Sequence, residues 1–567
     1  MGEAEESDLM KRILIINITR MGDLLQTTPL IRGLKRKYPN AELTMLVLES
    51  NRRLCAGFDG VDRIISFDAE EYISRLQDDN HSLEDNHLKL KRFIKRAGGD
   101  YDLIINLSHT TLSGALVKLI GGEDIRGMVM TDWGRFIVRH PWMNYFFYVT
   151  AHRHYNTFNL VDMYNLTGEV DLRARRLQYN IPAELKDYPS EILDGGGNGY
   201  VGFQLGASSE SRRWPPQYFG ELANIIRRKF GYKIIVFGTN SERKLLDELR
   251  KTYQGVIIDL MGKTTVPQLA ALLTKCQYLI TNDTGTMHLA AAVGTPVIAM
   301  FLGEARCSDT GPYTEEALIL EANIACAPCE YNSKCQHYEC RECILPDNVI
   351  MAMDKFRELT SSKVKQLDDS PQFAKIRLYR PVFEDYGLLN IVPLIKRPLT
   401  FEDFLKITYR RMWKSLLLNE DKFKTDYLAL YLPPDSEQML RQLKDFLELM
   451  ERISALGHRG LDLIEKIGYQ APFQFKDKRE IKFLLKLLTM LDSMLWQYEW
   501  NYEATHPVTK SMRLLIRNLA SSDPEYVMKL TYEMYVRAKE GSKVVVKEVE
   551  EYLKKSEYHR KSELINS

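Results

Sequence analysis

Apolar residues in the first third of the chain follow two alternating patterns. Short runs rich in Ile and Leu, residues 12–17 and 103–107, have the length and composition of buried strands. Between them, residues 24–34 place Leu and Ile at the spacing of an amphipathic helix. Because strand and helix alternate, we predict a parallel sheet with helices on its faces.

A second region of the same type begins after a glycine-rich stretch, residues 194–199, which has the composition of a flexible joint. We therefore predict two doubly wound, Rossmann-like α/β domains, residues 1–194 and 195–365. A ligand cleft is expected between them, at the carboxyl ends of the strands. The strands predicted for the second domain are residues 200–205, 233–237, 255–259, 278–281 and 296–301.

Beyond residue 366 the apolar pattern lengthens and becomes helical. Residues 440–453 place Leu, Phe, Met and Ile on one stripe, and a second apolar pattern covers residues 481–500. We predict that residues 366–567 form an all-helical (all-α) accessory domain. Its role stays open between self-association, acceptor docking and an independent task.

The charge balance narrows the classes of partner. The chain has 567 residues, 45% of them hydrophobic, with 77 Lys and Arg against 76 Asp and Glu. This composition supports several buried cores and excludes a wholly disordered chain, and the lack of a basic excess argues against nucleic acid as a partner. Residues 1–7 are acidic and lack an apolar core, so we do not expect a signal peptide there. The weakly charged stretch 278–303 is interrupted by polar residues, so we do not expect it to span a membrane. We therefore expect a cytoplasmic protein.

Polar residues in the loop after the first predicted strand are suited to proton transfer. Gly22 permits a tight turn, and Asp23 lies near a helix N-terminus. Its carboxylate either accepts a proton from a substrate hydroxyl or caps the helix.

A second loop, residues 203–215, combines hydroxyl groups with positive charge. Ser208 and Ser209 supply the hydroxyls, and Arg212 and Arg213 supply the charge. This combination suits a diphosphate, whereas the alternative is a solvated loop that precedes a helix.

A third loop offers backbone N–H groups at the start of an Ala-rich helix. Thr284, Gly285 and Thr286 form this turn, which favours an anion. Asp283 beside them would repel a phosphate, so it suits sugar hydroxyls, unless it only caps the helix. His288 either belongs to this site or is a packed, hydrogen-bonded histidine.

Together these loops resemble glycosyltransferase family 9, the heptosyltransferases of the lipopolysaccharide inner core and their relatives. The order and spacing of the motifs fit across residues 11–362, and the helical region lies beyond the resemblance. The matching stretches are residues 20–23, 206–215, 237–242, 261–265 and 282–288.

The resemblance implies a GT-B fold and an inverting, metal-independent transfer of a sugar from a nucleoside diphosphate. Asp23 matches the proposed general base, and Arg212 stands where the family usually has the Lys that holds the pyrophosphate. Glu242 matches the acid that binds the ribose, and Asp283 matches the residue that binds the donor sugar. Residues 284–286 would supply backbone donors to the phosphates.

By this resemblance we expect a heptose or related sugar to pass from an ADP-linked or other nucleotide-linked donor to a lipopolysaccharide core or another cell-surface glycan. No cofactor is expected for catalysis. Two alternatives remain: a protein O-heptosyltransferase that docks its acceptor through the helical region, and a non-catalytic binding protein. The oligomeric state stays open.

The N-terminal half of such a fold binds the acceptor. Arg126 and Arg135 lie in a basic stretch, and residues 142–148 are mainly aromatic. Basic residues beside aromatic ones suit an anionic glycolipid, so peripheral contact with the inner membrane is expected. The alternative is a helix buried against its own sheet.

Five cysteines fall within residues 326–343 and include two Cys-x2-Cys pairs. In a reducing compartment this spacing favours a closed structural site for zinc or iron, and a cysteine-rich loop at this place is another likeness to family 9, some of whose members bind iron there. The alternative is a set of free thiols in an irregular loop. We expect four of the five as ligands, with Cys340 the least certain: Cys326, Cys329, Cys335 and Cys343.

Overall fold

A computed structural model of the chain gives the fold of most of its length. The residues that it describes are 10–77, 82–151, 153–173, 176–195, 197–330, 333–358, 373–384, 386–418, 427–431, 437–467, 505, 508, 531–532 and 534–566. The predicted apolar pattern at residues 481–500 and the predicted boundary at residue 365 lie outside them.

The N-terminal half forms a six-stranded sheet with the order β3-β2-β1-β4-β5-β6. Its central strand β1 pairs in parallel with β2 and β4, and Ile13 to Ile16 of β1 are completely buried. The strands are β1 (Arg12–Ile16), β2 (Glu42–Leu48), β3 (Arg63–Phe67), β4 (Tyr101–Asn106), β5 (Gly122–Met130) and β6 (Phe136–Arg139). The helices of this half are α1 (Met21–Leu25), α2 (Thr28–Lys37), α3 (Arg52–Cys55), α4 (Ala69–Gln77), α5 (Leu83–Ala97), α6 (Thr111–Ile120), α7 (Pro141–Ala151), α8 (Leu160–Thr167) and α9 (Tyr188–Ile192).

A second sheet has eight strands in the order β14-β13-β12-β11-β10-β7-β8-β9. Its strands are β7 (Tyr200–Gln204), β8 (Lys233–Phe237), β9 (Ile257–Asp259), β10 (Cys276–Asn282), β11 (Val297–Phe301), β12 (Ala317–Ala322), β13 (Ile376–Phe383) and β14 (Leu389–Pro393). The helices are α10 (Pro216–Phe230), α11 (Arg243–Thr252), α12 (Val266–Leu273), α13 (Gly285–Val293), α14 (Cys307–Thr310), α15 (Glu339–Cys343) and α16 (Pro346–Glu358). In this sheet the chain adds β8 and β9 on one side of β7 and the strands from β10 onward on the other, and in the first sheet β1 likewise has β2 and β3 on one side and β4 on the other. The two sheets therefore confirm the predicted pair of doubly wound α/β sheets.

Residues 376–393 differ from the all-helical domain expected beyond residue 366. They form β13 and β14, which extend the second sheet as antiparallel strands at its edge. The local sequence explains the difference, because Ile376, Leu378 and Arg377 begin an alternation of buried and less buried residues that is typical of a strand. Helices then follow: α17 (Phe401–Leu418), α18 (Glu437–Ile467) and α19 (Ser542–Asn566).

The chain divides into two compact units that cut across the predicted domain boundaries. The first comprises residues 1–127 and 158–396, so it holds most of both sheets. The second comprises residues 128–157 and 397–567, and it includes β6 and the end of β5. Within the second unit, the ring of Tyr145 packs edge-on against that of Trp413, with centroids 5.1 Å apart, and Arg410 donates to the carbonyl of Thr157. The aromatic stretch 142–148 therefore contributes to a core with the helices, and its described aromatic residues are largely buried.

No helix of the described residues is long and apolar enough to cross a membrane.

Candidate functional site

Loops at the carboxyl edge of the second sheet come together around one buried amide. The side chain of Asn282, at the end of β10, accepts a hydrogen bond from Trp214 N at 2.9 Å and donates to the carbonyl of Leu205 at 2.9 Å. Asn282 is completely buried. These bonds hold the loop after β7 beside the start of α13, so two of the predicted donor-binding stretches are neighbours. Ser208 lies exposed in this loop.

Arg212 is fixed in this loop by two carboxylates. Its Nε donates to Glu304 Oε1 at 3.0 Å, and its Nη1 donates to Asp283 Oδ2 at 3.3 Å. Burial raises the pKa of Glu304, but hydrogen bonds, including that from Ser211, and the charge of Arg212 together lower it. A charge-assisted cluster therefore lies where the sequence predicts a diphosphate site.

Glu242 follows β8 and approaches the same loop. A Cβ placed on Gly206 would lie 1.7 Å from Glu242 Oε1, so a larger residue there would displace this carboxylate. The other oxygen, Oε2, accepts from Thr239 N at 2.8 Å and from the Thr239 hydroxyl at 3.0 Å. This capping box fixes the carboxylate at the turn that begins at Thr239.

The first turn of α13 carries the predicted anion site. The N-cap of this helix is Thr284, so Asp283 is not the cap that one interpretation of the sequence expected. The hydroxyl of Thr286 donates to Gln204 Oε1 at 3.1 Å, and Gly285 begins the helix. Backbone N–H groups at a helix N-terminus favour anions, so this turn retains the property that its sequence predicted.

The loop that carries Asp23 faces the start of α13. A Cβ placed on Gly22 would lie 3.0 Å from His288 Cδ2 and 3.6 Å from Gly285 Cα. Helix α1 therefore approaches α13 closely, and a larger residue at position 22 would press on His288. The structure thus brings the loop that carries the predicted base into contact with the predicted donor-binding turn.

Burial changes the acid–base properties of Asp23. It raises the pKa of the carboxyl, although hydrogen bonds from Arg20 N and the Thr19 hydroxyl, and the charges of Arg20 and His109, lower it in part. The N-cap of α1 is Arg20, and no side-chain cap bond is present there. The bond from Arg20 N ties the Asp23 carboxylate to the first turn of α1, and burial raises its pKa, so both the capping and the proton-accepting interpretations stay open.

His288 is packed into α13 and is neutral over the physiological pH range. Burial lowers its pKa to about 4. Its Nδ1 atom has no hydrogen-bond partner among the residues that the structure describes, so the expected packing is present without the expected bond at this nitrogen.

The two predicted acceptor-binding arginines differ in their surroundings. Arg126 pairs with Asp124 at 2.9 Å and with Glu169 at 3.1 Å, and it donates to the carbonyl of Thr167. Its charge is thus compensated by two carboxylates. Arg135 is exposed in the turn between β5 and β6.

Sequence reasoning missed a second group of basic residues, which lies beside Asp23. Arg20 is exposed in the same loop, and Arg52 and Arg53 are exposed at the start of α3, after β2. Asn51 Nδ2 donates to the carbonyl of Thr19 at 2.9 Å, which ties these two loops together. Their position directly after predicted strands is the signal that could have found them.

The described cysteines do not converge on a metal site. No group of three or more His, Cys, Asp or Glu side chains in the described part of the chain could hold a metal ion. Cys340 and Cys343 are buried in a small apolar cluster with Ala322, whereas Cys326 is exposed. Burial, and then the neighbouring thiols, raise the pKa of Cys329 to about 11. The predicted zinc or iron site therefore finds no support in the described residues.

Comparison with known proteins shows a likeness to one family of glycosyltransferases. Residues 88–340 match the model of glycosyltransferase family 9 (heptosyltransferase). Over this stretch the chain is similar to the glycosyltransferases of family 9. The matched stretch spans the second half of the first sheet and most of the second, and it ends before β13.

Three proteins illustrate how far the likeness of this chain extends. Lipooligosaccharide heptosyltransferase 2 of Campylobacter jejuni is 27% identical over 33% of this chain and 60% of its own length. Lipopolysaccharide heptosyltransferase 1 of Pseudomonas aeruginosa is 24% identical over 56% of this chain and 86% of its own. A solved family 9 glycosyltransferase from Veillonella parvula is 22% identical, with a TM-score of 0.49, over 62% of this chain and 98% of its own.

Proposed function

We propose that this chain transfers a heptose or a related sugar from a nucleoside diphosphate donor to a hydroxyl of a lipopolysaccharide core or another cell-surface glycan. The observation that carries the proposal is the close approach of the Gly22–Asp23 loop to the first turn of α13. This approach brings the loop of Asp23 against the turn that is suited to a diphosphate. The relatives named above are lipopolysaccharide and lipooligosaccharide heptosyltransferases, which supports heptose as the first sugar to test.

The proposed reaction is a single displacement at the anomeric carbon. The acceptor oxygen attacks this carbon, the bond to the donor phosphate breaks, and the acceptor proton passes to Asp23. Negative charge develops on the leaving diphosphate, where Arg212 and the N–H groups of α13 would stabilise it. Because attack and departure occur on opposite faces of the sugar, the anomeric configuration inverts.

Acceptor binding is proposed for the N-terminal side of the cleft. Arg20, Arg52 and Arg53 present exposed positive charge beside Asp23, which favours an anionic acceptor such as a phosphorylated or carboxylated glycolipid. Arg126 already donates to two carboxylates and to the carbonyl of Thr167, so fewer of its N–H groups are left for an acceptor, and Arg135 remains a prediction. Such an acceptor would place the protein at the inner surface of the membrane.

A thermal-shift screen with ADP, UDP, GDP and CMP tests the donor site, because a ligand of the folded state raises its stability. Transfer is then measured with the selected sugar nucleotide, radiolabelled in the sugar, against glycolipid and protein extracts. Asp23→Asn should abolish incorporation, while Glu184→Gln, an exposed carboxylate away from these loops, should not. Label found only in protein would favour the protein acceptor, and absence of binding by all four nucleotides would refute the proposal.

A further inference from the structure

Glu304 lies in the loop after β11 and contacts the proposed diphosphate site. Its carboxylate accepts from Arg212 Nε at 3.0 Å, from the Ser211 hydroxyl at 2.9 Å and from the Ser209 hydroxyl at 3.2 Å. We propose that Glu304 is a positioning residue that aims the guanidinium of Arg212 at the donor diphosphate. This inference rests on the proposed function, because it assigns Arg212 to the donor.

The hydrogen-bond geometry of Arg212 supports this role. A guanidinium has five N–H groups in a fixed plane. Glu304 takes the one on Nε, and Asp283 takes one on Nη1. Among the described residues no other polar atom bonds this side chain, so three N–H groups remain for a phosphate. Because two bonds at different nitrogens fix the plane of the guanidinium, the orientation of the remaining donors is fixed with it.

The backbone on both sides of Glu304 explains how the carboxylate reaches Arg212. Gly303 has φ +60°, and a Cβ there would lie 2.9 Å from the carbonyl oxygen of Ser211, so glycine permits the loops to touch. Behind this turn, Cys329 N donates to the Gly303 carbonyl at 2.8 Å. Arg306, which is 5% exposed, donates to the carbonyl of Pro328 at 3.3 Å. The cysteine-rich loop thus supports the turn that presents Glu304.

Arginine at position 212 is suited to this carboxylate. A lysine would carry the same charge, but its ammonium is a point charge without a fixed plane. It could not keep a directed pair of donors for phosphate while bonding both Glu304 and Asp283. The pairing therefore gives a reason for arginine where the resemblance leads one to expect lysine.

Two substitutions separate geometry from charge. In Glu304→Gln the amide oxygen can still accept from Arg212 Nε, and the amide nitrogen can donate to the Ser211 hydroxyl, since a hydroxyl both donates and accepts. In Glu304→Ala the bonds to Arg212 Nε and to the Ser211 hydroxyl are both lost. We expect the alanine variant to bind ADP about tenfold more weakly and the glutamine variant to bind within about threefold of the unchanged protein.

The test is calorimetric titration of the full chain with ADP and with adenosine. Each glutamate variant is combined with Arg212→Met, and Glu316→Ala, an exposed glutamate of the same domain, is the control. If Glu304 acts through Arg212, its replacement by alanine weakens ADP but not adenosine, and it has no further effect when Arg212 is already methionine.

The outcomes distinguish this inference from the proposed function. The positioning role would be overturned if Glu304→Ala left ADP affinity unchanged, or if it weakened ADP binding equally in the unchanged protein and in Arg212→Met. In either case, a loss of ADP affinity in Arg212→Met alone would still support the assignment of Arg212 to the donor site. If Arg212→Met itself leaves ADP affinity unchanged, the assignment of Arg212 to the diphosphate fails, and the positioning role fails with it. Rescue of the affinity by glutamine, with alanine defective, would support the geometric role.

Discussion

Replacing Gly206 by alanine should damage the nucleoside part of the donor site and spare the phosphate part. The added Cβ would lie 1.7 Å from Glu242 Oε1, so the carboxylate must retreat by about 1.7 Å to reach an ordinary contact distance of 3.4 Å. That movement breaks the bond from Thr239 N to Glu242, which is 2.8 Å long. The capping box would be lost, at a cost of about 1 kcal/mol in the free energy of unfolding.

The effect on binding should be larger than the effect on stability. If Glu242 accepts hydrogen bonds from the ribose, removing a charged acceptor costs about 1.5–3 kcal/mol, or about tenfold to a hundredfold in affinity for ADP. The assay is calorimetric titration with ADP and with 2′,3′-dideoxy-ADP, which lacks both ribose hydroxyls. The unchanged protein should prefer ADP, whereas Gly206→Ala should bind both nucleotides with similar affinity.

A control variant isolates the carboxylate. Glu242→Ala alone should reproduce the loss of preference, and adding Gly206→Ala to it should cost little more, because both changes remove the same interaction. The reasoning would be refuted if Gly206→Ala kept the full preference for ADP. It would also be refuted if the two substitutions weakened ADP binding additively.

Three further predictions concern the base, the buried histidine and the buried amide. Asp23→Asn should lower the transfer rate by at least about 100-fold while ADP affinity is retained. Because burial raises the pKa of Asp23, the rate of the unchanged protein should fall on acidification with a midpoint above the ordinary pKa of an aspartate. Initial rates measured across pH check both expectations. Burial lowers the pKa of His288 to about 4, so as pH falls the unfolded chain is protonated at this residue before the folded chain is. The contribution of His288 to the free energy of unfolding is therefore complete above about pH 6.5 and falls by about 3 kcal/mol toward pH 4. Urea unfolding at several pH values should show this slope, and His288→Leu should flatten it. Asn282→Ala leaves Trp214 N and the carbonyl of Leu205 without their side-chain partner, so the urea midpoint should drop by the equivalent of about 2–3 kcal/mol; an unchanged midpoint would contradict the bonding described here.

Parts of the site could be predicted because they follow strands. Asp283 directly follows a run of apolar residues and Asp23 comes a few residues after another, and the carboxyl ends of parallel strands meet at one edge of a sheet. The loop with Arg212 follows β7 for the same reason. Local sequence was therefore enough to predict that these residues lie at the carboxyl edge of their sheets.

Other parts depended on contacts between distant residues. Glu304 follows a strand as well, but its bond to Arg212 joins residues 92 positions apart. The sequence of the loop around Glu304 does not predict Arg212 as its partner. Arg126 fits a basic acceptor site by composition, yet its pairing with Glu169 is a property of the folded chain. The aromatic stretch 142–148 likewise gave no sign that Trp413 would pack on it.

The sequence by itself determined the two α/β sheets, the start of each polar loop and the family resemblance, because periodicity and turn residues act over a few neighbouring positions. Only the tertiary structure decided which charges neutralise one another, which strands extend the second sheet, and that the cysteine-rich loop supports the turn of Glu304. The reason is physical. Ion pairs, buried hydrogen bonds and close glycine contacts form between residues that meet only after the chain has folded, so their energies depend on long-range geometry that local patterns do not contain.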